Sequence, residues 1–157
     1  MTTIRADRLR NVLVVEDNAD DFELTRLAFA SCGCDATLHC AGDGQECMDY
    51  LRREGPYADA STPDLVLLDI NMPQMDGFEV MSRIAGDADL RHIPVIILTT
   101  SDAEDDVLRM YRLRCNAYVV KPANFTDFTR AMRSLIDFWN SSARIPSCWP
   151  NSGQSSV

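Results

Sequence analysis

Apolar residues arrive in short bursts along this chain, and the stretches between the bursts carry helical spacing. "NVLVV" (11–15), "ATLHC" (36–40), "LVLLD" (65–69), "VIILTT" (95–100) and "AYVV" (117–120) each read as a strand. The run Leu65, Val66, Leu67, Leu68 is unbroken, the pattern of a strand covered on both faces of a parallel sheet. Between the bursts, Phe22, Leu24, Leu27 and Ala28 begin a first helix, and Met48, Tyr50 and Leu51 mark a second. Phe78, Val80, Met81 and Ile84 mark the third, and Val107, Leu108, Met110 and Tyr111 the fourth. Phe125, Phe128, Met132, Leu135, Ile136 and Trp139 recur at steps of three and four and give the clearest helix.

Five rounds of strand then helix predict an α/β fold, a doubly wound five-stranded parallel sheet. The flavodoxin-like order 2-1-3-4-5 is the commonest for this count. Asp43 with Glu46 three residues on fits a capping box, and Asn124 after Pro122 fits an N-cap. "GPYADASTP" (55–63) is a longer loop than most connections. The expected divisions are an N-terminal arm (1–9), one domain (10–140) and a partly disordered tail (141–157) rich in small polar residues.

Bulk composition narrows the function. The 157 residues suit one domain with a full core. A formal charge of -9, with no Lys/Arg cluster, argues against a nucleic-acid binder. No apolar stretch approaches the roughly 20 residues of a membrane span, and "MTTIRADRLR" lacks a signal-peptide apolar region, so a cytoplasmic protein is expected. The six cysteines show no CxxC pair and fit no zinc spacing; buried reduced thiols are expected.

Candidate chemistry gathers at the strand ends. Glu16 and Asp17 close the first strand, Asp69 the third, Thr99 and Thr100 the fourth, and Lys121 the fifth. In a 2-1-3-4-5 sheet these positions share one rim, where open α/β sheets place their ligands. Three neighbouring carboxylates repel one another and call for a cation, and oxygen ligands of this kind suit Mg²⁺. A lysine and a hydroxyl beside them can hold phosphoryl oxygens, and an aspartate can accept the group covalently. Taken singly, Asp17 could be a helix cap, Thr99 and Thr100 plain strand residues, Tyr118 a half-buried aromatic and Lys121 a solvated charge.

"VLVVEDN", "LLDINMPQMDG", "PVIILTTS" and "YVVKP", in this order and each at a strand end, resemble the receiver domain of response regulators over residues 10 to 140. That resemblance implies Asp69 as phosphoacceptor. It implies Mg²⁺ held by Glu16, Asp17, Asp69 and the backbone carbonyl of Asn71. Thr99 and Lys121 would bind the phosphoryl oxygens, Tyr118 would move with Thr99, and the Lys121–Pro122 bond would be cis. Two departures stand out. Thr100 is bulkier than the usual small residue and should crowd the site, and Glu16 is a methylene longer than aspartate, favouring water-mediated metal contact. His39 and His92 match no receiver position and read as structural or surface residues.

About a dozen and a half residues remain after the fifth helix, too few for an independent domain, so no output domain is expected. A stand-alone receiver, not an enzyme, is therefore expected to act by binding a partner, by self-association or as a carrier in a multistep phosphorelay. The 55–63 loop, "TTS" and "DFW…IP" look most like the small receivers serving bacterial phytochrome histidine kinases. Phe138 and the apolar tail beyond Trp139 suggest a homodimer through the fourth helix, fifth strand and fifth helix, or through the tail. Two rival classes are weaker. A haloacid-dehalogenase phosphatase needs a second aspartate where Asn71 stands. A flavodoxin-type cofactor module needs a phosphate-cradling loop where the anionic "EDNADD" lies.

Overall fold

The structure, a computed structural model, describes residues 8–150. The chain forms β1 (Asn11–Val15), α1 (Ala19–Ser31), β2 (Thr37–Ala41), α2 (Gly44–Arg52), β3 (Leu65–Leu68), α3 (Gly77–Ala85), β4 (Val95–Thr99), α4 (Glu104–Arg112), β5 (Ala117–Val120) and α5 (Phe125–Asp137). All neighbouring strands run parallel, in the order β2-β1-β3-β4-β5. The doubly wound sheet expected from the sequence is the observed one. Strand ends differ by a residue at most: β2 is shifted one position forward, and β3 and β4 each stop one residue early.

Alternation along the strands sends side chains to two separate cores. Leu13, Val15, Val66, Leu68 and Ile97 pack with Met48 and Leu51 of α2, Val80 and Ile84 of α3, and Met110 of α4. Val12, Val14, Leu65, Leu67, Ile96 and Leu98 pack with Ala28 and Phe29 of α1 and Phe128, Met132 and Ile136 of α5. Side-chain caps fix the starts of α1, α2, α3 and α5, whereas α4 follows Ala103 with none. Asn18 caps α1 through the N–H groups of Asp20 and Asp21, so the cap is Asn18 and not Asp17. Asp43 accepts from Glu46 N at 2.8 Å, while the Glu46 carboxylate reaches back to Gly42 N at 3.0 Å. Asn124 caps α5 through Thr126 N and Asp127 N.

Not every apolar residue of the helical stretches is covered, and one expectation needs correction. Leu27 of α1 and Leu108 and Tyr111 of α4 are exposed, because Thr25 and Phe29 turn inward on α1 and Met110 alone is fully buried on α4. Phe125, the first residue of α5, is exposed as well. The Lys121–Pro122 bond is trans, and no cis peptide occurs among the described residues. Trans is the intrinsic preference of an X–Pro bond by about 0.5–1 kcal/mol.

After α5 a π-helical turn, Phe138–Ser142, redirects the chain. The segment that follows runs to the amino-terminal edge of the sheet. Ile145 is buried in the α1/α5 core, and Arg10 donates to the carbonyls of Pro146 and Ser147. Asp64, 0% exposed, gathers this edge. It accepts from Arg10 N at 2.8 Å, Arg10 Nη2 at 2.9 Å and Trp149 Nε1 at 2.8 Å. The Trp149 ring also lies 5.2 Å from His92. The first part of the tail is thus a packed strap; the disorder expected for its end falls on 151–157, outside the described residues, as do positions 1–7 of the arm.

Candidate functional site

Sheet register builds the site. Val15 pairs with Leu68, so Glu16 and Asp69, the next residues on each chain, stand side by side at the carboxyl edge. Asp69 N donates to Val15 O at 3.1 Å, and Glu16 N to Ala41 O at 2.9 Å. Thr99 pairs with Val120, and Lys121 N donates to Thr99 O at 2.7 Å. This last bond holds Lys121 at the rim beside the end of β4. Behind Asp69, the chain turns tightly into α3. Gly77 N donates to Ile70 O at 2.9 Å, and a Cβ on Gly77 would lie 2.4 Å from Asp69 O. Only glycine lets the helix start press against the strand end that carries Asp69.

Carboxylate oxygens of Glu16, Asp17 and Asp69 all lie within 4.8 Å of one another. Glu16 and Asp69 are buried and Asp17 is exposed, so the trio opens to solvent on one side. Oxygens around a single Mg²⁺ at about 2.1 Å lie no more than about 4.2 Å apart, which small side-chain rotations would reach. The donor set fits a hard divalent cation. The only cation now touching the trio among the described residues is the Lys121 ammonium. It lies 2.5 Å from Glu16 Oε2, 3.4 Å from Asp69 Oδ2 and 3.3 Å from Asp21 Oδ2.

One ammonium cannot neutralise this much negative charge. Burial pushes the Glu16 carboxyl up to about 7, opposed by Lys121 and reinforced by the charge of Asp69. Burial alone would lower the Lys121 ammonium; the hydrogen bond to Glu16 and the charges of Asp69, Glu16 and Asp21 outweigh it and raise it. In the absence of a metal the cluster therefore tends to hold an extra proton. A divalent ion would replace that proton.

Thr99, buried at the end of β4, has its hydroxyl at the start of the next loop, 3.5 Å from Ser101 N. Tyr118 is half-buried and donates its hydroxyl to Ser101 O at 2.8 Å. Both thus meet at the same loop. Thr100 is exposed and faces the cleft between Lys121 and the start of α5. Asn71 N approaches Asp69 Oδ1 at 3.4 Å. Every sequence-predicted site residue except Tyr118 thus lies at the carboxyl edge beside Asp69 or Lys121, and Tyr118 reaches it through Ser101. His39 and His92 lie elsewhere, in tilted ring contact with Tyr50 and Trp149. The sequence reading missed Asp21 and Asp64. Asp21 is hidden in an acidic run, and Asp64 looks like an ordinary residue before a strand.

A doubly wound sheet with an acidic trio, a rim lysine and a buried threonine at its carboxyl edge defines a phosphoacceptor-type signalling fold. The comparisons identify it further. Residues 12–133 match the response regulator receiver domain, and the chain belongs to that family. It is 36% identical over 135 residues to response regulator Rcp1 of Synechocystis sp., covering 86% of this chain and 92% of Rcp1. Among solved structures, the phosphorylated cyanobacterial phytochrome response regulator RcpA superposes with a TM-score of 0.84 at 41% identity, over 88% of this chain and 99% of RcpA. The Mn²⁺-bound form of Rcp1 gives 0.83 at 36% identity, over 87% and 99%. The phosphatase and flavodoxin-type readings are not favoured. No helix among the described residues is long and apolar enough to cross a membrane.

Proposed function

We propose that this chain is a receiver that takes a phosphoryl group onto Asp69 from a histidine kinase of the phytochrome type. The observation that carries the reading is the meeting of Glu16, Asp17 and Asp69 with Lys121 at one sheet edge. The phytochrome partner is supported by the likeness to RcpA, a phytochrome response regulator, and the metal by the Mn²⁺-bound form of Rcp1. Asp69 supplies the attacking oxygen. Glu16, Asp17, Asp69 and the Asn71 carbonyl would hold Mg²⁺, which offsets charge on the incoming phosphoryl group. Lys121, released from part of its carboxylate cage, pairs with one phosphoryl oxygen, and the Thr99 hydroxyl donates to another.

Movement of Thr99 toward the phosphoryl group alters the loop that also holds the Tyr118 hydroxyl, so occupancy at Asp69 is transmitted to the α4–β5–α5 face. That face exposes Leu108, Tyr111, Val120 and Phe125, and Phe138 lies just beyond it at 54% exposure. Exposed apolar side chains on one face favour an interface there, and a two-fold homodimer through it is part of the proposal. The test is phosphotransfer profiling from autophosphorylated histidine kinases, phytochrome-type kinases included. Preferential transfer from the phytochrome type supports the reading. Preferential transfer from another kinase, or rapid onward transfer to a histidine phosphotransfer protein, replaces the partner assignment.

A further inference from the structure

Three carboxylates touch the Lys121 ammonium, and two of them belong to the metal-binding trio. The third, Asp21, does not. It lies in the first turn of α1, four residues after Asp17, and its side chain crosses to the end of β5 to reach Lys121 Nζ at 3.3 Å. Helix stability explains a first-turn acid, yet Asp20 in the same turn supplies that charge without touching the lysine. Nor does Lys121 need Asp21 for neutralisation, since Glu16 and Asp69 already hold it.

Asp21 also lines a cleft of about 180 Å³ between α1 and α5 that opens beside Lys121. Leu24, Pro122 and Phe125 give it apolar walls, and Asp21 and Thr100 place an acceptor and a hydroxyl at its rim. Apolar walls beside a carboxylate complement a ring with apolar faces and one N–H. Lys121 lines the cleft as well and pairs with Asp21 at 3.3 Å; once the ammonium turns to a phosphoryl oxygen, Asp21 loses that partner and its charge faces the leaving group.

We propose that Asp21 selects the phosphoryl donor: its carboxylate accepts a hydrogen bond from the unphosphorylated ring nitrogen of a phosphohistidine seated in this cleft, and repels donors whose leaving group is an anion. The inference rests on Asp69 as phosphoacceptor. In the transfer, the bond from ring nitrogen to phosphorus breaks as the bond from an Asp69 oxygen forms. The ring enters protonated on its other nitrogen; the electron pair stays on the departing nitrogen while that other nitrogen keeps its proton. The leaving group is then neutral imidazole, and no further reactant is needed. A carboxylate on that N–H holds the proton where the departing ring needs it. With acetyl phosphate the leaving group is acetate, which gains negative charge against Asp21.

The test uses two small donors, phosphoimidazole and acetyl phosphate, with the full chain and Mg²⁺. Initial labelling rates are measured for wild type, Asp21→Asn, Asp21→Glu and Asp20→Asn. Asp21→Asn is expected to speed acetyl phosphate and slow phosphoimidazole, moving their ratio by about tenfold, the scale of one close unit charge. Asp21→Glu should keep the wild-type order, and Asp20→Asn should leave the ratio alone. Equal effects on both donors, no effect, or the same shift from Asp20→Asn would overturn the assignment. If Asp21→Asn melts well below wild type, Asp21→Ser is read in the same way. Labelling by either donor that survives Asp69→Asn would instead overturn the phosphoacceptor reading.

Discussion

Gly77→Ala places a methyl group where the fold leaves no room for one. The new Cβ would stand 2.4 Å from Asp69 O and 2.7 Å from Ile70 Cα, both backbone atoms that no rotamer change can move aside. Either α3 withdraws or the strand end carrying Asp69 shifts. Overpacking of this kind costs typically about 1–3 kcal/mol, and a clash with backbone belongs at the upper end. Alanine gains up to about 1 kcal/mol of helix propensity over glycine. The net expectation is a loss of about 2 kcal/mol, or about 4–8 °C in melting temperature for a chain of this size. Gly86→Ala is the comparison, because its Cβ would come no nearer than 3.3 Å to Ser82 O and 3.9 Å to Arg83 O, and its φ of −84° suits any residue. Urea unfolding and acetyl phosphate labelling are measured on both variants. Gly77→Ala should lose stability and label more slowly while Gly86→Ala stays within about 0.5 kcal/mol of wild type. A Gly77→Ala protein with wild-type stability and labelling would refute the close approach of α3 to Asp69.

Other expectations follow from the same contacts. Asp64→Ala strips acceptors from Arg10 and Trp149 and should cost about 2–3 kcal/mol, less than a fully buried pair because Arg10 is partly exposed. Trp149→Phe should lose about 1–2 kcal/mol, and both are read by urea unfolding. With its folded value raised to about 7, Glu16 holds a proton that the unfolded chain releases near 4.5. Metal-free stability should therefore fall as pH rises from about 4.5 through 7, and Mg²⁺ or Glu16→Gln should flatten that slope in thermal melts. Thr100→Ala opens the rim of the cleft and should speed acetyl phosphate labelling; unchanged rates would mean that Thr100 does not restrict entry. Sedimentation should show Phe138→Ala/Trp139→Ala shifted toward monomer relative to wild type, and a monomeric wild type with and without beryllofluoride would remove the dimer.

Period and punctuation made most of this fold legible. The unbroken run Leu65–Leu68 could only be a strand covered twice, and the capping residues Asp43 and Asn124 placed α2 and α5. The rim residues were legible for a topological reason. Once the strand order is known, residues that follow each strand must meet at one edge, so Glu16, Asp69 and Lys121 needed no side-chain information. Side-chain reach was not legible. Asp21 is one of three acids within five positions, and nothing local says which of them crosses to Lys121. Asp64 meets Trp149 across 85 positions, and the apolar tail looked like unpaired surface until that contact gave it a place. On α4, the i, i+3 spacing of Leu108 and Tyr111 imitates a buried stripe although both are exposed, because periodicity reports a face and not what covers it.

The acyl phosphate itself is the most direct test. Wild type and Asp69→Asn are incubated with acetyl phosphate and Mg²⁺, and intact mass is measured before and after hydroxylamine. The expected result is one phosphoryl group per wild-type chain, removed by hydroxylamine, abolished by chelating Mg²⁺ and absent from Asp69→Asn. A label of the same size and hydroxylamine sensitivity on Asp69→Asn, or a wild type that takes none from acetyl phosphate or from any histidine kinase, would contradict the assignment of Asp69 as phosphoacceptor.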